Sequence, residues 1–166
     1  MEQAVGAMDP RVARRIEAVG AGAAEVCGLW LAPGAGGHGI SRALVMGIAA
    51  VAYRRRLGVV FGLSAAHTRA LFEGAGWRVD PDLGIDGSFP YPTARYATRV
   101  ITLDVAGLDS AREPGATIAR MARRPVGRMP FHGRRGDVDC RYDLEFTGAP
   151  VTSAPLEART GGCGLA

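Results

Sequence analysis

Between Glu25 and Trp77 the hydrophobic period of this chain changes three times, and the order of those changes leaves few folds open. Apolar residues run from Glu25 to Ala32, a glycine-rich turn follows, then a long helical stripe, a second apolar run from Leu57 to Ser64 and a short helical segment. This is a strand-turn-helix-strand-helix unit, and a helix between two buried strands makes them parallel partners. The expectation is an α/β fold with a mixed sheet on a β-α-β-α-β core. In its middle, Pro33-Gly34-Ala35-Gly36-Gly37-His38-Gly39-Ile40 places four glycines in six residues where the helix opens. Glycine lets a backbone approach a ligand closely. A helix start presents N–H donors and the positive end of the dipole, which suits a pyrophosphate or an amide-rich carrier arm.

Flanking signals fill in the order. Asp9 and Pro10 read as cap and first helical residue of a helix from Pro10 to Ala18, stopped by Gly20 and Gly22. The strand Glu25–Ala32 is apolar almost throughout, as a central strand is. The next helix spans Ile40–Arg56, with Leu44, Val45, Ile48, Val51 and Ala52 as its buried stripe. Arg54, Arg55 and Arg56 close it, either complementing the dipole or forming a phosphate-contacting patch. Leu57–Ser64 is the parallel partner strand, and Ser64 caps a third helix, Ala65–Glu73, ended by Gly74-Ala75-Gly76. After the turn residues 80–87, Arg95–Val105 alternates as an antiparallel strand near an edge. Gly115–Ala122 can form a helix, but 112–166 otherwise lacks apolar periodicity and reads as mostly disordered. The organisation is thus an N-terminal helix and linker (1–24), a core (25–106) and an Arg/Gly/Pro-rich tail (107–166).

Composition excludes several classes. The 20 basic residues are all arginine and the net charge is +4, in a chain with 24 glycines. That pattern reflects a coding bias toward Arg, Ala and Gly better than a nucleic-acid surface, so no nucleic-acid partner is expected. Cys27, Cys140 and Cys163 are too scattered for a metal site or a disulfide framework, and Cys27 reads as a buried small hydrophobe in its strand. No apolar run approaches the ~18 residues of a membrane span and no secretory h-region opens the chain, so a cytoplasmic protein is expected.

The residues Leu31-Ala32-Pro33-x-x-Gly36-Gly37-x-Gly39-Ile40-Ser41-x-x-Leu44 resemble the acyl-coenzyme A signature of the GCN5-related N-acetyltransferase superfamily. More narrowly, Glu25 to Ala35 resembles the strand of acyl-homoserine-lactone synthases that carries Glu-x-(Ser/Thr)-Arg-Phe. Gly62 to Trp77 and Tyr91-Pro92-x-x-Arg95 resemble the same branch and its N-acyl amino acid synthase relatives. The resemblance spans about residues 25 to 105 and implies a partial GNAT-like fold of the acyl-CoA N-acyltransferase type.

It also implies a function: an acyl chain passes from acyl carrier protein or acyl-CoA to an amine, S-adenosylmethionine in the synthases, with lactone closure yielding a quorum-sensing autoinducer. These are substrates, and no bound cofactor or metal is implied. Glu25 would be the catalytic base near the amine. Trp30, Leu31, Gly37, His38, Gly39 and Ile40 would hold the donor, its pantetheine arm pairing with the strand edge at Trp30–Ala32. Phe61, Leu63 and Arg69 would contact substrate. An acyl-CoA-dependent N-acyltransferase acting on an amino acid or small amine is the alternative, and a truncated, non-catalytic remnant is a third reading. Gly36 stands where the signature has arginine or glutamine, Gly28 where the synthases have arginine, and Phe72 where many acetyltransferases have tyrosine. Only 24 residues precede Glu25, where the family has helices and strands that shape the S-adenosylmethionine pocket.

Overall fold

In the computed structural model, which describes residues 5–19, 22–37, 39–109, 113–123, 127–135 and 138–146, the two apolar runs pair as parallel strands. β1 (Ala23–Val26) lies beside β2 (Val59–Ala65) in the register Ala23↔Val59 to Val26↔Gly62. The connection is α2 (Ile40–Arg54), followed after β2 by α3 (Ala66–Glu73). The chain then adds β3 (Arg78–Val79) and β4 (Thr98–Asp104), giving a four-stranded mixed sheet in the order β1-β2-β4-β3. β4 is antiparallel to both β2 and β3, so it is an inner strand, and the edge expected for it belongs to the two-residue β3.

Most boundaries shift by one to three residues, β4 for instance starting at Thr98 rather than Arg95, and two differences have a clear local cause. β1 stops at Val26 rather than Ala32, because Gly28 takes φ 72°, a left-handed conformation that breaks an extended run. Ser64 lies one residue before the N-cap of α3, which is Ala65. Its hydroxyl meets Thr68 Oγ1 at 3.0 Å instead of capping a backbone N–H.

Each face of the sheet carries its own apolar cluster. On one side α2 and α3 pack Val45, Met46, Ala49 and Phe72 against Val60, Ile101 and Leu103. The Phe72 and Trp77 rings meet edge to face there, with centroids 5.3 Å apart. α4 (Gly115–Ala122) joins this side through Ile118, Ala119 and Ala122. On the other side α1 (Arg11–Glu17) and the loop 83–91 cover Phe61 and Val100 with Val5, Val12, Leu83 and Phe89. α1 and Asp9 before it are fastened to residues 80–84 by charge. Arg15 Nε lies 2.8 Å from Asp80 Oδ2, and the Gly84 N–H donates to Asp9 Oδ2 at 2.7 Å.

The stretch read as mostly disordered is structured as far as it is described. Besides α4 it holds an antiparallel pair, β5 (Gly127–Arg135) and β6 (Val138–Phe146), beside α2, with β5 also beside α4. Residues 147–166, included in the same expectation, lie outside the described residues. No helix among the described residues is long and apolar enough to cross a membrane.

Candidate functional site

The parallel pair parts just before the glycine turn. β1 ends opposite Gly62, while β2 continues through Leu63, Ser64 and Ala65, which among the described residues have a strand partner only on the β4 side. The chain leaving β1 runs through Trp30 and Leu31 into the turn, where Gly34, Gly37 and Gly39 have φ of 86°, 81° and 81°. Three left-handed positions within six residues are a conformation that glycine adopts readily and other residues rarely. Among the described residues a Cβ on Gly34 would meet nothing within 4 Å, so backbone conformation rather than crowding calls for glycine there.

Gly39 is the N-cap of α2. No side chain caps that end and no acidic residue occupies its first turn, although Ala43 N–H already bonds the Gly39 carbonyl at 3.0 Å. Among the described residues, then, no side chain compensates the positive end of this 15-residue helix where it leaves the turn.

The expected site residues fall into three groups. Glu25 is exposed on β1 opposite Phe61, and Leu63 follows on the same face of β2, so these three come together on the side covered by α1. Phe61 is buried beneath Val5, Val12 and Phe89, and Leu63 is half-buried there. Trp30, Leu31, Gly37, Gly39 and Ile40 form a continuous path from the end of β1 to the start of α2. Trp30 on that path is 73% exposed. Trp30 and Leu31 are loop residues here, not a strand edge, again because β1 ends before Gly28. His38 lies outside the described residues. Arg69 stands apart. It is on α3, which packs against the opposite face of the sheet, and its Nε is 3.8 Å from Glu73 Oε1 in an i,i+4 pair.

Two cavities flank α2. One, of about 530 Å³, runs along the open edge of β1 and is lined by Val26, Leu44, Ile48, Val51 and Leu57 together with Glu25 and Cys27. Cys27, expected to be buried, is exposed, because it follows the last residue of β1 on an edge with no outer neighbour. The other, of about 450 Å³, lies at the carboxyl end of α2 among Tyr53, Arg54, Arg56, Asp109 and Arg123. There the Tyr53 hydroxyl donates to Asp109 at 2.8 Å and accepts from Arg123 Nε at 2.8 Å. Arg123 Nη2 also pairs with Asp109 at 2.6 Å. Burial first, then the bond to Asp109, pushes the Tyr53 hydroxyl above its ordinary pKa. The run Arg54-Arg55-Arg56 was the one sequence signal for this corner. Its partners Asp109, Ala122 and Arg123 are too distant in the chain for any spacing rule to find.

Set beside known proteins, the chain matches no family model, and no curated protein or solved structure matches it.

Proposed function

We propose that this protein is an N-acyltransferase with a GNAT-like core, moving an acyl chain from acyl-CoA or acyl carrier protein to an amine. S-adenosylmethionine is the amine in the acyl-homoserine-lactone synthases that the sequence resembles. The observation that carries the reading is the glycine turn, with three left-handed glycines opening a side-chain-uncapped 15-residue helix where two parallel strands part. The positive helix end suits the donor's phosphates, and the chain that leaves β1 toward the turn would run beside its amide-bearing arm.

The chemistry then follows from the position of each group. The acceptor nitrogen attacks the thioester carbonyl, forming the C–N bond, and the C–S bond breaks to release the carrier thiol. Glu25, the acidic residue of β1, takes the proton that the nitrogen must lose. Backbone N–H groups on the β2 edge beyond Gly62, which β1 leaves without a partner, donate to the developing oxyanion. Leu63, half-buried beside Glu25, offers the apolar contact of the acceptor side, while the buried Phe61 supports the strand beneath it.

The test separates donor binding from chemistry. Gly37→Val places a β-branched side chain at a left-handed position and should remove both donor binding and acyl transfer. Glu25→Gln keeps the shape and should leave donor binding intact while lowering acyl transfer about 100-fold or more. A Glu25→Gln chain as active as the parent would remove Glu25 from the mechanism, and a Gly37→Val chain that binds donor normally would remove the turn.

A further inference from the structure

We infer that the cavity at the carboxyl end of α2 is an oxyanion site, built to take a phosphate or phosphomonoester between Arg54, Arg56 and Arg123. It lies at the far end of α2 from the glycine turn, roughly 20 Å away along a 15-residue helix. It is thus independent of the donor site proposed above.

Charge is the first argument. Three arginines line this cavity against a single acidic residue, Asp109. Two of the three are already placed. Arg54 is buried, with its Nη1 donating to the Ala122 carbonyl at 3.2 Å, and so complements the carboxyl end of α4. Arg123 is held by Asp109, by the Tyr53 hydroxyl and by the face of the Tyr53 ring, 5.6 Å from its centroid. Neither assignment extends to Arg56, whose side chain makes no hydrogen bond or ion pair among the described residues.

Backbone strain is the second argument, and it concerns the same residue. α2 closes with Leu57 N–H bonded to the Ala52 carbonyl at 3.1 Å and Arg56 N–H to the Tyr53 carbonyl at 3.0 Å. This is a Schellman-type end, and its left-handed position is ordinarily glycine. Here that position is Arg56, at φ 54°. Among the described residues every other left-handed position is glycine except Asp86, a residue type that tolerates the conformation, and the chain holds 24 glycines. An arginine therefore stands where glycine would relieve the backbone, and it lines a cavity of about 450 Å³ beside a preset guanidinium. Arginines from the end of α2 and the end of α4 lining one cavity suit a tetrahedral oxyanion, and Leu57, Val105 and Ala106 leave an apolar wall for a small attached group.

The test uses the full chain, titrated at fixed ionic strength with inorganic phosphate and, separately, with glycerol phosphate. Saturable binding of at least one of them is expected. Tighter binding of glycerol phosphate would identify a phosphomonoester, and equal binding the free ion. Arg56→Gly should weaken binding about tenfold or more while leaving the melting temperature unchanged or higher. Gly37→Val should leave this binding as it is. The inference is overturned if the folded wild type shows no saturable binding, if Arg56→Gly binds like wild type, or if Gly37→Val rather than Arg56→Gly abolishes binding. An Arg56→Gly chain that melts lower would also count against it, since Arg56 would then be holding the fold rather than a ligand.

Discussion

Asp9 shows how much one residue can fasten. Its Oδ1 accepts the Arg11 N–H at 2.9 Å, Arg11 Nη2 reaches Oδ2 at 2.7 Å, and the Gly84 N–H reaches the same oxygen from a distant part of the chain. The Arg11 guanidinium bond first, then the Gly84 N–H, holds this carboxyl well below the usual carboxylate range, against the opposing effect of burial. A folded pKa below the unfolded one contributes stability that is present above the unfolded carboxylate range, near pH 4, and lost as pH falls through the folded value. Asp9→Asn should therefore cost about 1 to 2 kcal/mol at neutral pH, and the gap to wild type should narrow below about pH 4. Urea unfolding at pH 7 and pH 3 measures both, and a gap equal at the two pH values would contradict the assignment. The Asp-Pro pair marks the start of α1, although the N-cap is Pro10 rather than the expected Asp9, which instead accepts the Arg11 N–H and guanidinium. The reach to Gly84, 75 residues on, has no local signal.

At the scale of elements, the carboxyl ends of α2 and α4 are joined by a few polar atoms around Tyr53. Its hydroxyl bridges Asp109, on the 3-10 turn Ala106–Asp109, to Arg123 after α4. Tyr53→Phe keeps the ring under Arg123 and removes the bridge, so it should lower stability by about 1 kcal/mol. Amide exchange should quicken in α4 before it quickens in β2 or β4, and uniform quickening would show that the bridge is not local. Elements were legible where period and punctuation agreed. α2 and α3 appear within a residue or two of the expected bounds, and Gly115–Ala122 is a helix as read. They were illegible where one residue overrode the period, as Gly28 does in ending β1. The pair β5 and β6 was missed because Gly133, Pro130 and the arginines break apolar alternation. Yet Gly136-Asp137, the two residues between the strands, is a dipeptide type that favours a two-residue hairpin turn and was a usable signal.

For the whole molecule, a mixed sheet divides two apolar clusters, and the proposed chemistry uses both sides of the point where its parallel strands part. Glu25, Phe61 and Leu63 share the α1 face, while the glycine turn feeds α2 on the other. The β-α-β-α-β order was readable because each boundary carries a turn or cap residue. The division of expected site residues between two faces was not, since it depends on strand register and on which face α3 covers, where Arg69 lies. The central claim is that the glycine turn receives an acyl donor, and calorimetric titration of the wild-type chain with octanoyl-CoA tests it most directly. The account predicts saturable one-to-one binding, with a dissociation constant of about 1 mM or tighter, that is lost in Gly39→Val. A folded wild-type chain that shows no saturable binding up to millimolar donor would contradict it.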